Sequence, residues 1–334
     1  MNRRVLLGGF ACLAFACTTP SSGLVTGALA PKAPPSPAQV ALEAGNLLEA
    51  AALFSQTCQH NPTQQVEACL QAGTLWTELQ RWEEAQKALR PIANPQGEGA
   101  NLEACFPLAL GYYESGQLEE AMALLQPIAQ RPALEGRWRL RAQTEYAICL
   151  LEKGERDKAQ HLLEAVASSP LSSAGELEKV TWAKAKFFLA EIAFLRFAES
   201  SFCNGCSVHL MAKDVEKKAQ LLLDAQELFL QTIQTQNNYW GIAAGMRIGE
   251  LYETLYQQLL ASPLPLEIRP EEHDAYRKEM RTFLRGLLGN ALQSYEDTLY
   301  TAERIGTTGF FAKRTREKLL HLTQQLLDSP EDTR

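Results

Sequence analysis

The sequence predicts an all-α protein made of stacked helical hairpins, and two regularities carry that expectation. Between Ala72 and Pro132, Gly73, Trp76, Ala85 and Leu89 are followed by Ala109, Tyr112, Ala121 and Leu125, with steps of 3, 9 and 4 residues both times. The copies lie 36 residues apart. Over a longer span, Ala50, Ala85, Ala121 and Ala159 are each followed four residues later by Phe54, Leu89, Leu125 or Leu163, at intervals of 35, 36 and 38. A single hairpin cannot bury its apolar face, so units of this period must stack.

The chain opens with a basic Asn2-Arg3-Arg4 and an uncharged apolar run of 12 residues, Val5 to Ala16. Twelve helical residues rise only about 18 Å, too little to span a bilayer, so residues 1–16 read as an export signal. The run ends Ala14-Phe15-Ala16-Cys17. Residues 17–37 are rich in Pro, Ser, Gly and Ala and read as a tether, because Pro20, Pro31, Pro34, Pro35 and Pro37 cannot hold a helix interior.

Ser36-Pro37 is an N-cap followed by a first helical residue. Helices are expected to about Ala44, then from Leu47 to about His60. Turn residues separate the paired helices at Gly45-Asn46, Gln80-Arg81, Gly116-Gln117 and Gly154-Glu155, and Pro62, Pro95, Pro132 and Pro170 close the units. Residues 38–170 therefore hold four units, the first one truncated. Residues 171–306 read as two elongated units: helices Glu176–Ser200, Lys213–Gln236, Trp240–Leu260 and about Glu271–Ile305, with inserted loops at Ser201–Ala212 and Ser262–Pro270. Ala225 with Phe229 and Ala291 with Tyr295 continue the anchor spacing. Residues 307–328 form a capping helix with Lys313, Arg314, Arg316, Glu317 and Lys318 outward.

Formal charge is −7, or −9 once Arg3 and Arg4 leave. A mildly acidic chain without a basic tract argues against nucleic acid as a partner. Of eight cysteines, Cys12 leaves with the signal. Cys58 and Cys69 face each other across a short turn and suit a disulfide. Cys105 and Cys149 read as buried small residues. Cys203-Asn204-Gly205-Cys206 leaves four readings open: a local disulfide, a metal site with His209, a redox site, or free thiols. No nucleophile arrangement surrounds the five histidines and no phosphate loop occurs, so neither an enzyme, a cofactor, a metal nor a small-molecule substrate is expected.

The Ala-Phe-Ala-Cys end resembles the bacterial lipobox, which implies lipidation (palmitate) of Cys17; Cys12 is a second candidate, and plain secretion with cleavage near Ala16 an alternative. With Thr18 and no Asp after the cysteine, lipoprotein sorting rules imply the outer membrane, periplasmic face. The helical units resemble the tetratricopeptide repeat, W-x2-L-G-x2-Y…A-x3-F…P. Its opening aromatic is replaced here by Cys69 and Cys105, while Ile248-Gly249-x2-Tyr252 matches the first helix again. The resemblance implies a right-handed superhelix of about six units whose concave face, lined by first helices, binds a protein partner. On this chain that face would carry Glu67, Leu70, Thr74, Thr77, Glu78, Glu103, Phe106, Leu110, Tyr113, Glu114, Arg141, Thr144, Glu145, Ile148 and Glu152. Pilus-assembly pilotins and outer-membrane-protein assembly or gliding-motility lipoproteins place such repeats behind a lipidated cysteine. The implied function is a lipid-anchored scaffold or assembly factor of an envelope secretion, pilus or motility machine; the alternatives are a periplasmic peptidoglycan or polypeptide binder, and a redox or metal protein using the two close cysteines.

Overall fold

The computed structural model describes residues 35–60, 65–132, 134, 136–169 and 175–328, with the side chains of 327 and 328 left aside. The export signal, Cys12, Cys17 and most of the tether lie outside these residues. Every regular element among them is a helix. The chain divides into two compact units between Gly154 and Glu155.

In the first unit, α1 (Pro37–Glu43) pairs with α2 (Leu47–His60), α3 (Gln65–Glu78) with α4 (Trp82–Leu89), and α6 (Cys105–Glu114) with α7 (Leu118–Ala129), followed by α8 (Gly136–Lys153). Ser36 caps α1: its Oγ accepts from the Gln39 N–H at 3.2 Å while Gln39 Oε1 accepts from the Ser36 N–H at 2.9 Å. The turns after α1, α3 and α6 repeat one long backbone bond, Asn46 N–H to Ala41 O at 2.9 Å, Arg81 to Trp76 at 2.8 Å and Gln117 to Tyr112 at 2.8 Å. That closure needs a left-handed residue, met by Gly45 at φ +78° and Gly116 at φ +77°, and at φ +57° by Gln80. The short helix α5 (Gly99–Glu103) was not legible in the repeat. It stops at Ala104 because Pro107 offers no N–H and its ring crowds the Glu103 carbonyl.

The hairpins close around the anchors. Ala50, Ala85, Ala121 and Ala159 are fully buried, and so are Leu89 and Leu163. Gly73 explains how α3 and α4 meet: a Cβ there would lie 2.2 Å from Leu89 Cγ.

The second unit holds α9 (Arg156–Ala167), α10 (Glu176–Glu199), α11 (Val208–Ile233), α12 (Asn238–Leu260), α13 (His273–Arg304) and α14 (Phe310–Asp328), with a 3-10 turn at Pro270–Glu272. Helix α11 starts at Val208, five residues before the expected Lys213, so the first inserted loop is shorter than the sequence suggests. The hairpin rule returns in α12 and α13: a Cβ on Gly249 would lie 2.2 Å from Tyr295 Cε1, and one on Gly245 would lie 2.3 Å from Thr298 Oγ1.

Two clusters fill this unit. Trp240 stands 5.1 Å from Phe187 and 5.9 Å from Phe188, and Tyr239 5.2 Å from Phe311, tying α10, α12 and α14 together. Beside them runs a buried ionic chain. Arg247 grips Glu191 through two bonds of 2.5 Å, bonds Glu250, and lies 4.0 Å over the Phe194 ring. Lys318 meets Glu250 at 3.3 Å and Glu253 at 3.0 Å, and the Tyr295 hydroxyl donates to Glu253 at 2.7 Å. Burial works against the charge on Arg247, but the Glu191 and Glu250 carboxylates outweigh it and hold its pKa above the ordinary value. Burial likewise pushes the Tyr295 phenol up, helped by Glu253.

Two outcomes follow for urea denaturation. Gly73→Ala should destabilise by about 1–3 kcal/mol through overpacking against Leu89, whereas Gly286→Ala, where a Cβ meets nothing, should stabilise by about 1 kcal/mol. Arg247→Met should cost about 3–5 kcal/mol by stranding the buried Glu191 carboxylate and leaving Glu250 with Lys318 alone, while Glu191→Leu/Arg247→Met/Glu250→Leu should recover most of that loss.

Candidate functional site

The first helices of the first unit supply the expected partner face, and the structure sorts its residues into two groups. Leu70, Thr77, Phe106, Tyr113, Thr144 and Ile148 are buried and belong to the core rather than to a groove. Leu70 packs in one cluster with Leu75, Ala104 and Leu108. Phe106 lies beneath α8, stacked on Trp138 at 5.8 Å with the Arg141 guanidinium 4.1 Å over its ring. Thr77 and Thr144 spend their hydroxyls on the carbonyls of Gly73 (2.8 Å) and Leu140 (2.9 Å). The solvent-facing group is Glu67 and Glu103, exposed, with Thr74, Glu78, Leu110, Glu114, Arg141, Glu145 and Glu152 half-buried.

That remaining face is acidic. Burial raises the Tyr113 phenol pKa, and Glu152, Cys149, Glu114 and Glu145 raise it further. Burial pushes the Glu78 carboxyl up, and that of Glu114 up to about 7. The Oε2 atom of Glu152 is buried without a hydrogen-bond partner. Burial lowers the Arg141 guanidinium, with Glu145 and Glu103 acting in the opposite sense. The arrangement concentrates carboxylates in a half-desolvated surface, which can bind a cationic side chain by charge-assisted hydrogen bonds.

Cys58 and Cys69 form a disulfide between α2 and α3, with a Cα separation of 4.7 Å. It lines a groove of about 410 Å³ with Trp76 and Pro91, where Trp76 Nε1 donates to Ser55 Oγ at 2.9 Å. Cys105 and Cys149 are buried thiols, and burial pushes Cys105 up to about 12.

In the second unit Cys203 and Cys206 are also bridged, with a Cα separation of 6.0 Å. His209 is exposed, and among the described residues no group of three or more His, Cys, Asp or Glu could hold a metal. The loop is held from several sides. Asp214 Oδ2 accepts from the Cys203 N–H at 2.8 Å, and the Leu266 N–H donates to Cys206 O at 3.1 Å. Glu267 Oε2 accepts from the Val208 N–H at 3.0 Å. The two inserted loops are thus one structure, which their separation in sequence concealed. Lys218 was also missed. Its buried ammonium donates to Phe197 O at 3.0 Å, Ser200 Oγ at 2.8 Å and Ser200 O, at the C-terminal end of α10, and burial pushes its pKa down to about 8. No described helix is long and apolar enough to cross a membrane.

Glu114 makes the acidic face testable by pH. Its folded pKa of about 7 stands above the unfolded 4.5, so between those values the native state holds a proton that the unfolded chain has lost. Stability from this group is greatest below about pH 4.5 and falls as pH rises through about 7. Glu114→Gln should remove that decline, leaving the variant more stable than the parent at pH 8 but not at pH 4 in urea titrations.

No protein-family model matches the chain, and a search of curated proteins found no match. Among solved structures, the chain is similar to the crystal structure of a Podosopora anserina putative kinesin light chain variant with nearly identical TPR-like repeats, at 17% identity over 74% of this chain and 97% of that one. The TM-score is 0.33, too low to establish a shared arrangement of the repeats.

Proposed function

We propose that this protein is a protein-binding scaffold of the bacterial envelope. A lipid on Cys17 holds it to the periplasmic face of the outer membrane, and the first-helix face of its first unit binds a basic segment of a partner within a secretion, pilus or motility machine. The observation that carries the binding site is the half-buried row of carboxylates on that face, Glu78, Glu114, Glu145 and Glu152, with Glu114 raised to about 7 by burial. A carboxylate kept costly in the free protein is relieved when a partner's lysine or arginine arrives, so binding gains what folding gives up. The lipid anchor rests on the Ala14-Phe15-Ala16-Cys17 sequence and the proline-rich tether behind it.

The test is capture from crosslinked membranes with the full chain and with Glu114→Lys/Glu145→Lys. The parent should retain a partner whose crosslinked segment is rich in lysine or arginine, and the double variant should lose it. Equal capture by both proteins would sink the reading. For the anchor, radiolabelled palmitate should enter the parent and not Cys17→Ala; equal labelling rules it out.

A further inference from the structure

We propose that the Cys203–Cys206 bridge is a redox latch: a dithiol reductant opens it, and the two inserted loops of the second unit then come apart while the helices around them stay folded. The latch shares no residue with the acidic face of the first unit, so neither reading depends on the other.

The two bridges of this chain are built differently. Cys58 and Cys69 lie 11 residues apart, on helices α2 and α3, whose apolar faces share one buried cluster, and they are 8% and 0% exposed. With that bridge reduced, the packing of the two helices still holds the thiols together, so the fold drives the bridge to re-form. Cys203 and Cys206 lie three residues apart in a loop, with Gly205 at φ +65° supplying the tight turn. Closing so short a ring removes little freedom from the unfolded chain, so this bridge adds little to the stability of the unit. Its effect is local: it fixes the course of residues 201–207, which form neither helix nor strand. Cys206 is buried, but Cys203 is only half-buried and stands beside the exposed Asn204 and Gly205, so a reductant meets Cys203 first.

What the bridge holds is a pair of loops. The Leu266 N–H donates to Cys206 O at 3.1 Å, Glu267 Oε2 accepts from the Val208 N–H at 3.0 Å, and Asp214 Oδ2 accepts from the Cys203 N–H at 2.8 Å. Leu266 is 70% exposed, and Val208 and Glu267 are exposed as well. Hydrogen bonds between exposed segments compete with water, so these hold only while the course of the loop is fixed. The outer ends are anchored independently. The Lys218 ammonium donates to Phe197 O and Ser200 Oγ, and Gln258 Nε2 donates to Ala198 O at 2.7 Å, which closes α10. Arg277 donates to Ser262 O at 2.6 Å, which pins the start of the second loop. Opening stops at those anchors.

The chemistry is thiol–disulfide exchange. One thiolate of the dithiol attacks Cys203 Sγ, the bond between the two protein sulfurs breaks, and Cys206 leaves as a thiolate and takes up a proton. The second thiol of the reductant then displaces Cys203 from the mixed disulfide. Two electrons and two protons pass to the protein, which gains two thiols, and the reductant becomes a disulfide.

The test equilibrates the full chain with dithiothreitol and its oxidised form at graded ratios. Quenching, alkylation and peptide mass read the state of each bridge, and amide hydrogen exchange is followed at the same ratios. Cys203–Cys206 should open at a ratio of reduced to oxidised reagent at least about tenfold lower than Cys58–Cys69. At that ratio exchange should rise at least about fivefold in residues 201–207 and 262–268 together, and change by less than about twofold in α10, α11 and α12. Cys203→Ser/Cys206→Ser should show the raised exchange without reductant. Opening of Cys58–Cys69 at the same or a lower ratio, raised exchange confined to residues 201–207, or raised exchange throughout the second unit overturns the proposal. Failure of the double variant to fold overturns it too, since a latch leaves the unit standing when it opens.

Discussion

Two helices lie backbone to backbone only where one of them gives up a side chain, and the hairpins here depend on that concession. Gly73 accepts Leu89, and Gly249 accepts Tyr295, each with no room for a Cβ. In both cases the intruding residue is the fourth after a fully buried alanine, Ala85 or Ala291. The alanine keeps the second helix close, and the larger residue then fills the depression that the glycine leaves. Since the contact lies within one hairpin, it survives changes in helix length: α4 has 8 residues and α13 has 32, yet both meet their partner in the same way.

The units differ in what fills the space beyond that contact. In the first, short helices leave little to fill, and alanine, leucine and a disulfide complete it. In the second, helices of 23 to 32 residues bring long stretches together, and the interior contains ions. Replacing Arg247, Glu191 and Glu250 by hydrocarbon need not weaken such an interior, because desolvating three charges consumes most of what their attraction returns. What the ions add is selectivity of register. Glu191 of α10 meets Arg247 of α12 through two bonds, and a slide of one turn would leave Glu191 charged and buried without a partner and Arg247 with Glu250 of its own helix alone.

This contrast decides what was legible in the sequence. Features set by neighbours within a hairpin were readable: Ala-x3-Leu, the glycine turns at Gly45 and Gly116, and the Ser36-Pro37 helix start all rest on residues a few positions apart. Contacts between distant segments were not. Glu191 and Arg247 stand 56 residues apart, and each looks like an ordinary surface charge until the partner helix is placed. The inserted loops appeared separate because nothing local links Cys206 to Leu266. Six residues expected on the partner face are buried for a related reason. Helix phase alone separates inside from outside, but Leu70, Phe106 and Tyr113 lie on a side that the next first helix covers, and phase does not report how closely successive helices pack.

The same limit explains why the two units expose surfaces of opposite signature. On the first-helix face of the first unit Glu114 is half-buried and loses part of its water, and its pKa rises to about 7. Between the second helices of the second unit the neighbours stand apart, since a first helix separates them, and the gap exposes Leu230 and Ile233. Partial burial thus creates an electrostatic cost among first helices, and wide spacing creates an apolar cost among second helices. On the proposed reading, a partner's positive charge would relieve the first. The two surfaces share no residues, so a change at one leaves the chemistry of the other in place.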